Sequence, residues 1–314
     1  MLRSAKSSLL TVGLAFSSFL PAVAWGGAWT QPRGDSYLRL TYAWWSTDTR
    51  YDAQGRRTGL EEPGLPVRGT EYRDLEFRVY GEFGLVERLT TYGSFAYKRV
   101  RLFEPLTIVR GRVLPDVAHN TNGIGDVYLG SRFRIHGGRV PVSLASEVKV
   151  PSGYSTKANP SLGTGKADFT LRGLMGASAG WMYATADAGW TYRGGAYQNE
   201  LLYSGEIGGS LFSRYYLWRC VLRGRRSLGE TMQPSDLAIF DPNLASPRAL
   251  ELSVVLGEEI VKGVNLEAAI THVLSGRNSL AGKAFEVGIA WSRRSENVVH
   301  RELLRSAPAG GAAR

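Results

Sequence analysis

Almost every stretch after residue 34 alternates apolar and polar residues at period two, in runs far too polar to cross a bilayer as helices. Residues 35–46 show the pattern. Leu38, Leu40, Tyr42 and Trp44 fall on one side, and Tyr37, Arg39 and Thr41 on the other. The same two-faced reading holds over 72–83, 125–136, 142–150, 167–177, 181–193, 200–211, 216–226, 249–257, 264–274 and 283–291, and less regularly over 89–99. Strands of soluble sandwiches average roughly five or six residues. These are nearer the roughly ten that a tilted strand needs to span a bilayer, and about twelve strands is an even number, as bacterial barrels require.

The connections alternate in length. Short ones are expected near 84–88, 137–140, 178–180, 212–215 and 258–263, and longer ones near 47–70, 100–124, 151–166, 194–199, 228–248 and 275–282. Short periplasmic turns and longer outer loops give that asymmetry. The reading is all-β: a single transmembrane antiparallel up-and-down barrel of about 12 strands over 25–292.

The first 24 residues read as a cleaved signal peptide. Arg3 and Lys6 form its basic start, Leu9 to Leu20 its apolar middle, and Ala22-Val23-Ala24 its small-residue cleavage site. Residues 293–314, charged and then rich in Pro, Gly and Ala, read as a disordered periplasmic tail. The expected location is the outer membrane of a Gram-negative bacterium, with both termini periplasmic.

Composition agrees with a barrel. Mean hydropathy is −0.17, because only alternate residues face lipid. The single cysteine, Cys220, excludes an intrachain disulfide. The net charge of +10 is spread through strands and loops with acids among the bases, and no basic helix or aromatic-basic RNA motif is present, so nucleic acid is not an expected partner. Expected partners are outer-membrane lipid, lipopolysaccharide, the barrel-assembly machinery, and a small-molecule or glycan cargo.

Charged residues on the non-lipid faces are the candidates for function, since a closed barrel gathers them in one lumen. They include Arg132, Arg134, Glu147, Lys149, Asp168, Arg172, Arg219, Arg223 and Arg225. Arg219, Arg223 and Arg225 share one face of one strand and form an anion-attracting stripe; the alternative is that such charges pair across strands and stiffen the wall. The four histidines, His119, His136, His272 and His300, show no metal-ligand spacing, and no cofactor is expected. His272, followed by Ser275 and Ser279, is the one place to test a lipid-modifying enzyme, but no acid or amide on its strand face would orient it.

Several stretches resemble a known family: 27–34 (GAWTQPRG), 82–90 (EFGLVERLT), 123–130 (GIGDVYLG), 149–154 (KVPSGY), 165–169 (GKADF) and 188–195 (AGWTYRGG). Together they resemble the outer-membrane transporters named for the MetA pathway of phenol degradation, distant relatives of long-chain fatty-acid and aromatic-hydrocarbon channels. The resemblance implies a barrel that passes a small solute, hydrophobic or aromatic in character. An export channel for a polysaccharide or other secreted product would use the same lumen. The fatty-acid channels carry a plug before their first strand. Residues 25–34 are too few for a folded plug, so if the lumen is occluded, long loops such as 47–70 or 100–124 must close it.

Overall fold

The structure, a computed structural model, describes residues 27–60, 69–104, 107–109, 112–114, 117–158, 160–179, 181–195, 197–211, 216–229 and 248–293. The segment expected as a signal peptide, and all of the expected tail except Arg293, lie outside the described residues.

The strands are β1 (Ser36–Tyr51), β2 (Arg57–Gly59), β3 (Glu71–Val86), β4 (Leu89–Glu104), β5 (Thr107–Val109), β6 (Arg112–Leu114), β7 (Val117–Ile124), β8 (Val127–His136), β9 (Val142–Val150), β10 (Asp168–Ala179), β11 (Met182–Arg193), β12 (Glu200–Leu211), β13 (Tyr216–Ser227), β14 (Arg248–Val261), β15 (Val264–Arg277) and β16 (Ser279–Arg293). No helix occurs among the described residues. Neighbours in the wall pair antiparallel, and β16 returns to β1, with Ser36 opposite Arg293 and Tyr51 opposite Ser279. β7 and β8 pair with successive parts of β4, along 97–104 and 89–94, so they are two halves of one wall strand broken at Gly125 and Asp126. The result is the closed twelve-strand antiparallel barrel that the alternation predicts. Closure leaves no open edge, the condition for placing strand backbone in hydrocarbon. β2 extends β1 as a hairpin, and β5 and β6 pair only with each other.

Side chains follow the expected parity. Leu40, Val79, Leu171, Leu222, Val254 and Ile289 point outward, while Arg39, Arg78, Arg172, Arg223, Ser253 and Gly288 point inward. Outward aromatics gather towards both ends of the barrel. Trp44, Tyr97 and Trp190 lie towards the long connections, and Phe83, Trp181 and Trp291 towards the short turns. Such paired girdles flank the apolar band of membrane barrels.

Two expected connections are largely strand. β4 runs on to Glu104 and β7 occupies part of 100–124. There the pattern inverts: Val100 and Leu102 point inward and are buried, while Arg99 and Arg101 point out and are exposed. Strand continued past the apolar band therefore no longer reads as lipid-facing alternation. The connection expected at 275–282 is Asn278 alone, at φ 48°, a left-handed conformation that Asn tolerates. Its amide donates to the Asp52 carbonyl, 3.2 Å, tying this turn to the β1–β2 hairpin.

The parity makes a direct prediction. Val254 is 47% exposed on the outer face, whereas the neighbouring Ser253 is buried with its hydroxyl 2.7 Å from that of Thr271. Val254→Arg should lower stability in lipid bilayers by about 2–4 kcal/mol, while Val254→Leu should leave it unchanged. Denaturant titration in liposomes checks this, and equal stability of the arginine variant would reverse the assigned faces.

Candidate functional site: the barrel interior

Inward charges on neighbouring strands lie about 5 Å apart at Cβ and must neutralise one another where water is excluded. On β3 and β4 they do so completely. Lys98 Nζ lies 2.9 Å from Asp74 Oδ2 and 2.7 Å from Glu76 Oε1, and Glu76 also pairs with Arg78. Arg132, 1% exposed, places Nη2 3.1 Å from both Glu82 oxygens. Tyr80 donates its hydroxyl to Glu82 at 2.5 Å. Arg39 and Arg219 meet on Glu267, at 3.1 and 3.8 Å. This side of the interior is dry.

A second network sits at the long-loop end. The register places Asp168 between Lys149 on β9 and Arg193 on β11, along one inward row. Lys149 Nζ is 2.5 Å from Asp168 Oδ2 and 3.6 Å from Asp126 Oδ2. Arg193 reaches Asp168 at 3.8 Å and Glu200 at 2.7 Å. The next inward row carries Glu147, Thr170, Thr191 and Glu200, in register across β9 to β12. These two rows, with Tyr128, Thr164 and Arg225, line one polar cavity.

Both mouths are narrowed. At the long-loop end the β9–β10 connection folds inward and Leu162 packs with Trp45, Leu60, Tyr72, Val100, Leu102 and Leu280 in an apolar cap. Tyr154 anchors that connection, donating to Asp126 Oδ1 at 2.5 Å and accepting from the Gly165 amide at 2.9 Å. Burial, and then the Asp126 carboxylate, push the Tyr154 hydroxyl well above its ordinary pKa, so it stays a donor. Gly163 lets the connection pass, since a Cβ there would lie 2.3 Å from the Tyr154 oxygen. At the short-turn end, residues 27–35 cross the mouth. Ala28 is fully buried and accepts a 2.6 Å bond from the Ser143 hydroxyl. Trp29 lies edge-on to Tyr183 and so close to Gly176 that a Cβ there would sit 2.8 Å from its ring. Gln31 donates to Glu82 Oε2 at 2.9 Å and to Thr90 Oγ1 at 2.7 Å. The expectation that long loops such as 47–70 or 100–124 would close the lumen is corrected at the short-turn end, where the N-terminal segment closes it instead. Leu60, Val100 and Leu102 contribute to the cap, but the β9–β10 connection and the N-terminal segment do much of the closing. No folded plug is required, because the nine residues 27–35 already reach across one mouth.

The candidate residues divide among these regions. Glu147, Lys149, Asp168 and Arg225 meet in one cavity. Arg172 pairs with Asp187 at 3.0 Å and lies across Gly189, whose absent side chain makes room for it. Arg132 belongs to the dry pair with Glu82, and Arg219 to the pair with Glu267. Arg134 lies at the short-turn rim, donating to the Glu87 carbonyl at 2.9 Å. Arg223 faces Glu251 across the β13–β14 register, yet the two form no ion pair. Thr170, Thr191, Arg193 and Glu200 were absent from the sequence-based candidates. Threonine carries no charge signal, and Arg193 and Glu200 stand at strand ends, where parity is weakest. His272 lies on the outward parity, its Nδ1 3.1 Å from the Gly282 carbonyl, whereas Ser279 is buried at the start of β16. Among the described residues no group of three or more His, Cys, Asp or Glu could hold a metal.

No protein-family model and no curated protein matches the chain. Solved structures do. An outer-membrane channel from Pseudomonas putida F1 is 14% identical with a TM-score of 0.60, covering 84% of this chain and 97% of that one. The NanC porin (8% identity, TM-score 0.48, 81% and 98% covered) and the CymD monoaromatic hydrocarbon channel (9%, 0.42, 84% and 90%) are more remote. The first likeness is one of fold: this chain has the fold of an outer-membrane β-barrel.

The dry pairs carry a stability prediction. Arg132→Met strands Glu82 without its cation and should cost about 3–5 kcal/mol, whereas Glu82→Gln with Arg132→Met should recover most of that loss. Unfolding of Arg132→Met, Glu82→Gln and the double variant in liposomes provides the measurement. Full additivity of the two single losses would show that the residues do not act as a pair.

Proposed function

We propose that the protein is an outer-membrane channel for a small solute, inserted with its long connections outside and both chain ends in the periplasm. The observation that carries this reading is the unequal burial of the interior charges. Charges on β3 and β4 are buried in closed pairs, while Glu147, Arg172, Arg223, Arg225 and Glu251 remain half-buried on β9, β10, β13 and β14. Keeping charge partly exposed inside a lipid-facing barrel is a feature of a polar passage rather than of a filled structural post. The fold likeness to an outer-membrane channel supports the same reading.

In this mechanism the solute follows the wet side, between Leu162 at the outer mouth and Trp29 at the inner. Arg223, which forms no ion pair with the glutamate opposite it, and Arg225 attract anions into that side. The aromatic or hydrophobic cargo implied by the sequence resemblance finds inward tyrosines, Tyr80, Tyr92 and Tyr128, but Tyr80 already holds Glu82. Acyl chains of the outer membrane, with lipopolysaccharide above them, cover the apolar outer face, which the barrel-assembly machinery delivers to the membrane.

Planar-bilayer recording tests the channel. Purified protein should give discrete conductance steps, and Trp29→Ala should enlarge them by opening the inner mouth. Replacing Arg223 and Arg225 with glutamine should lower the anion-to-cation permeability ratio obtained from reversal potentials. Absence of conductance in both the parent and the Trp29 variant would remove the proposal, and an unchanged ratio would remove the role of the two arginines.

A further inference from the structure

The outer surface of the wall carries a charge pattern that the lumen does not explain. At the long-loop end β3, β4 and β7 continue as paired strand past the apolar band, and their outward rows stay in register. One row sets Phe77 beside Tyr97 and Ile124, all three exposed, and closes the apolar band on this side. The next sets Leu75 beside Arg99 and Asn122, and the one after it sets Arg73 beside Arg101 and Asn120. Arg73, Arg99, Arg101, Asn120 and Asn122 are all exposed on the outer face. Three guanidinium groups and two amides thus occupy two adjacent rows, with neighbours in a row roughly 5 Å apart at Cβ. The outer ends of the next four wall strands carry Val127, Val150, Phe169 and Tyr192 on the same face instead.

Like charges directly opposite one another destabilise a sheet, and Arg73 lies directly opposite Arg101. One acid answers them. Glu71 accepts from Arg73 on both oxygens, each at 2.7 Å. Arg101 lies over the Phe103 ring, 5.6 Å from its centroid, and neither it nor Arg99 makes an ion pair with a described residue. Asn122 donates to the Tyr97 hydroxyl at 3.0 Å and so ties the polar rows to the aromatic border below them.

Height decides which anion meets these cations. Two residues of a strand tilted by about 40° climb roughly 5 Å along the membrane normal. The headgroup layer on each side of the hydrocarbon is roughly 5–8 Å deep. Arg99, one row past Tyr97, therefore stands within that layer, and Arg73 and Arg101 stand at its upper edge. The anions at that depth are lipid phosphates, and the planar fork of arginine binds phosphate through two parallel hydrogen bonds. With the long connections outside, this is the outer leaflet, whose phosphorylated lipid is lipopolysaccharide.

We infer that the outward face of Arg73, Arg99, Arg101, Asn120 and Asn122 is a docking site for the phosphorylated head group of lipopolysaccharide, with the acyl chains lying below it against Phe77 and Tyr97. The site rests on the orientation proposed above and not on conductance.

Native mass spectrometry of the full-length protein, delipidated in detergent, tests the inference with diphosphoryl lipid A, monophosphoryl lipid A and phosphatidylethanolamine as probes. Diphosphoryl lipid A should bind most tightly and phosphatidylethanolamine least. Replacing Arg73, Arg99 and Arg101 together with glutamine should weaken diphosphoryl lipid A roughly tenfold or more. Replacing Arg56, Arg57 and Arg139 with glutamine removes the same charge elsewhere and should leave the affinity unchanged. All six arginines are exposed, so both variants should fold. Absence of lipid A binding, phosphatidylethanolamine binding as tight as lipid A, unchanged affinity in the first variant, or equal loss in both would each overturn the site. Orientation is read separately, by a membrane-impermeant maleimide on intact cells, against the parent protein with its one cysteine, Cys220, on the lipid face. Arg57→Cys should label and Arg139→Cys should not. The reverse would remove the orientation and the site with it. Lipid A binding without conductance keeps the site and removes the channel, and conductance without lipid A binding keeps the channel and removes the site.

Discussion

The hydrogen-bonded seam between β1 and β16 is the constraint on which the rest depends. Once Ser36–Tyr51 pairs along Ser279–Arg293, no strand has an open edge, and every residue of the wall must face either out or in. The outer face meets hydrocarbon, so it is apolar between two aromatic belts. The inner face receives everything else. Charges placed there cannot all be hydrated, so they close on one another across neighbouring strands, as in Lys98 with Asp74 and Glu76 and in Lys149 with Asp168. The ion pairs of the interior are therefore a consequence of closure, and their positions follow from the register.

The same geometry explains how so little chain narrows the mouths. A barrel wall has no interior volume to give away except where side chains are absent. Gly176 supplies that space for Trp29, Gly130 for the ring of Tyr92, and Gly189 for Arg172. Large inward side chains lean over glycines of the adjoining strand, and the lumen fills without bending the wall. Residues 27–35 use this economy at the short-turn end, where one tryptophan and three side-chain hydrogen bonds from Thr30, Gln31 and Ser143 fix the segment across the opening.

The barrel was legible in the sequence wherever lipid was on one side. Val142–Val150 and Glu200–Leu211 have the bounds that alternation assigns, and the inward parity of Arg219, Arg223 and Arg225 was readable from Trp218, Cys220 and Leu222 on the other face. Beyond the apolar band the signal failed for a physical reason. Val100 and Leu102 are apolar because they face the cap, so their strand reads as irregular, and Asn278 turns a hairpin within what looks like a long connection. The candidate site was half legible. Charge marked Glu147, Lys149 and Asp168, but period-two patterning says nothing of which rows meet, and the threonines of those rows carry no signal of their own. The motifs at 123–130, 149–154, 165–169 and 188–195 are far apart in sequence, yet Asp126, Lys149, Tyr154, Asp168 and Arg193 from them converge on one network.

That convergence joins the broken wall strand to the lumen. β7 and β8 part at Gly125 and Asp126, and the Gly125 amide is caught by the Ala96 carbonyl at 2.9 Å. The break frees Asp126 to accept from Tyr154 and to approach Lys149, and Tyr154 in turn holds the connection that carries Leu162 into the cap and Thr164 into the polar cavity. The apolar cap and the polar cavity are thus two faces of one loop, fixed by one carboxylate at one strand break. A continuous strand through 125 and 126 would keep the barrel closed and leave that loop without its anchor, so the dry and wet halves of the outer mouth depend on the same local irregularity.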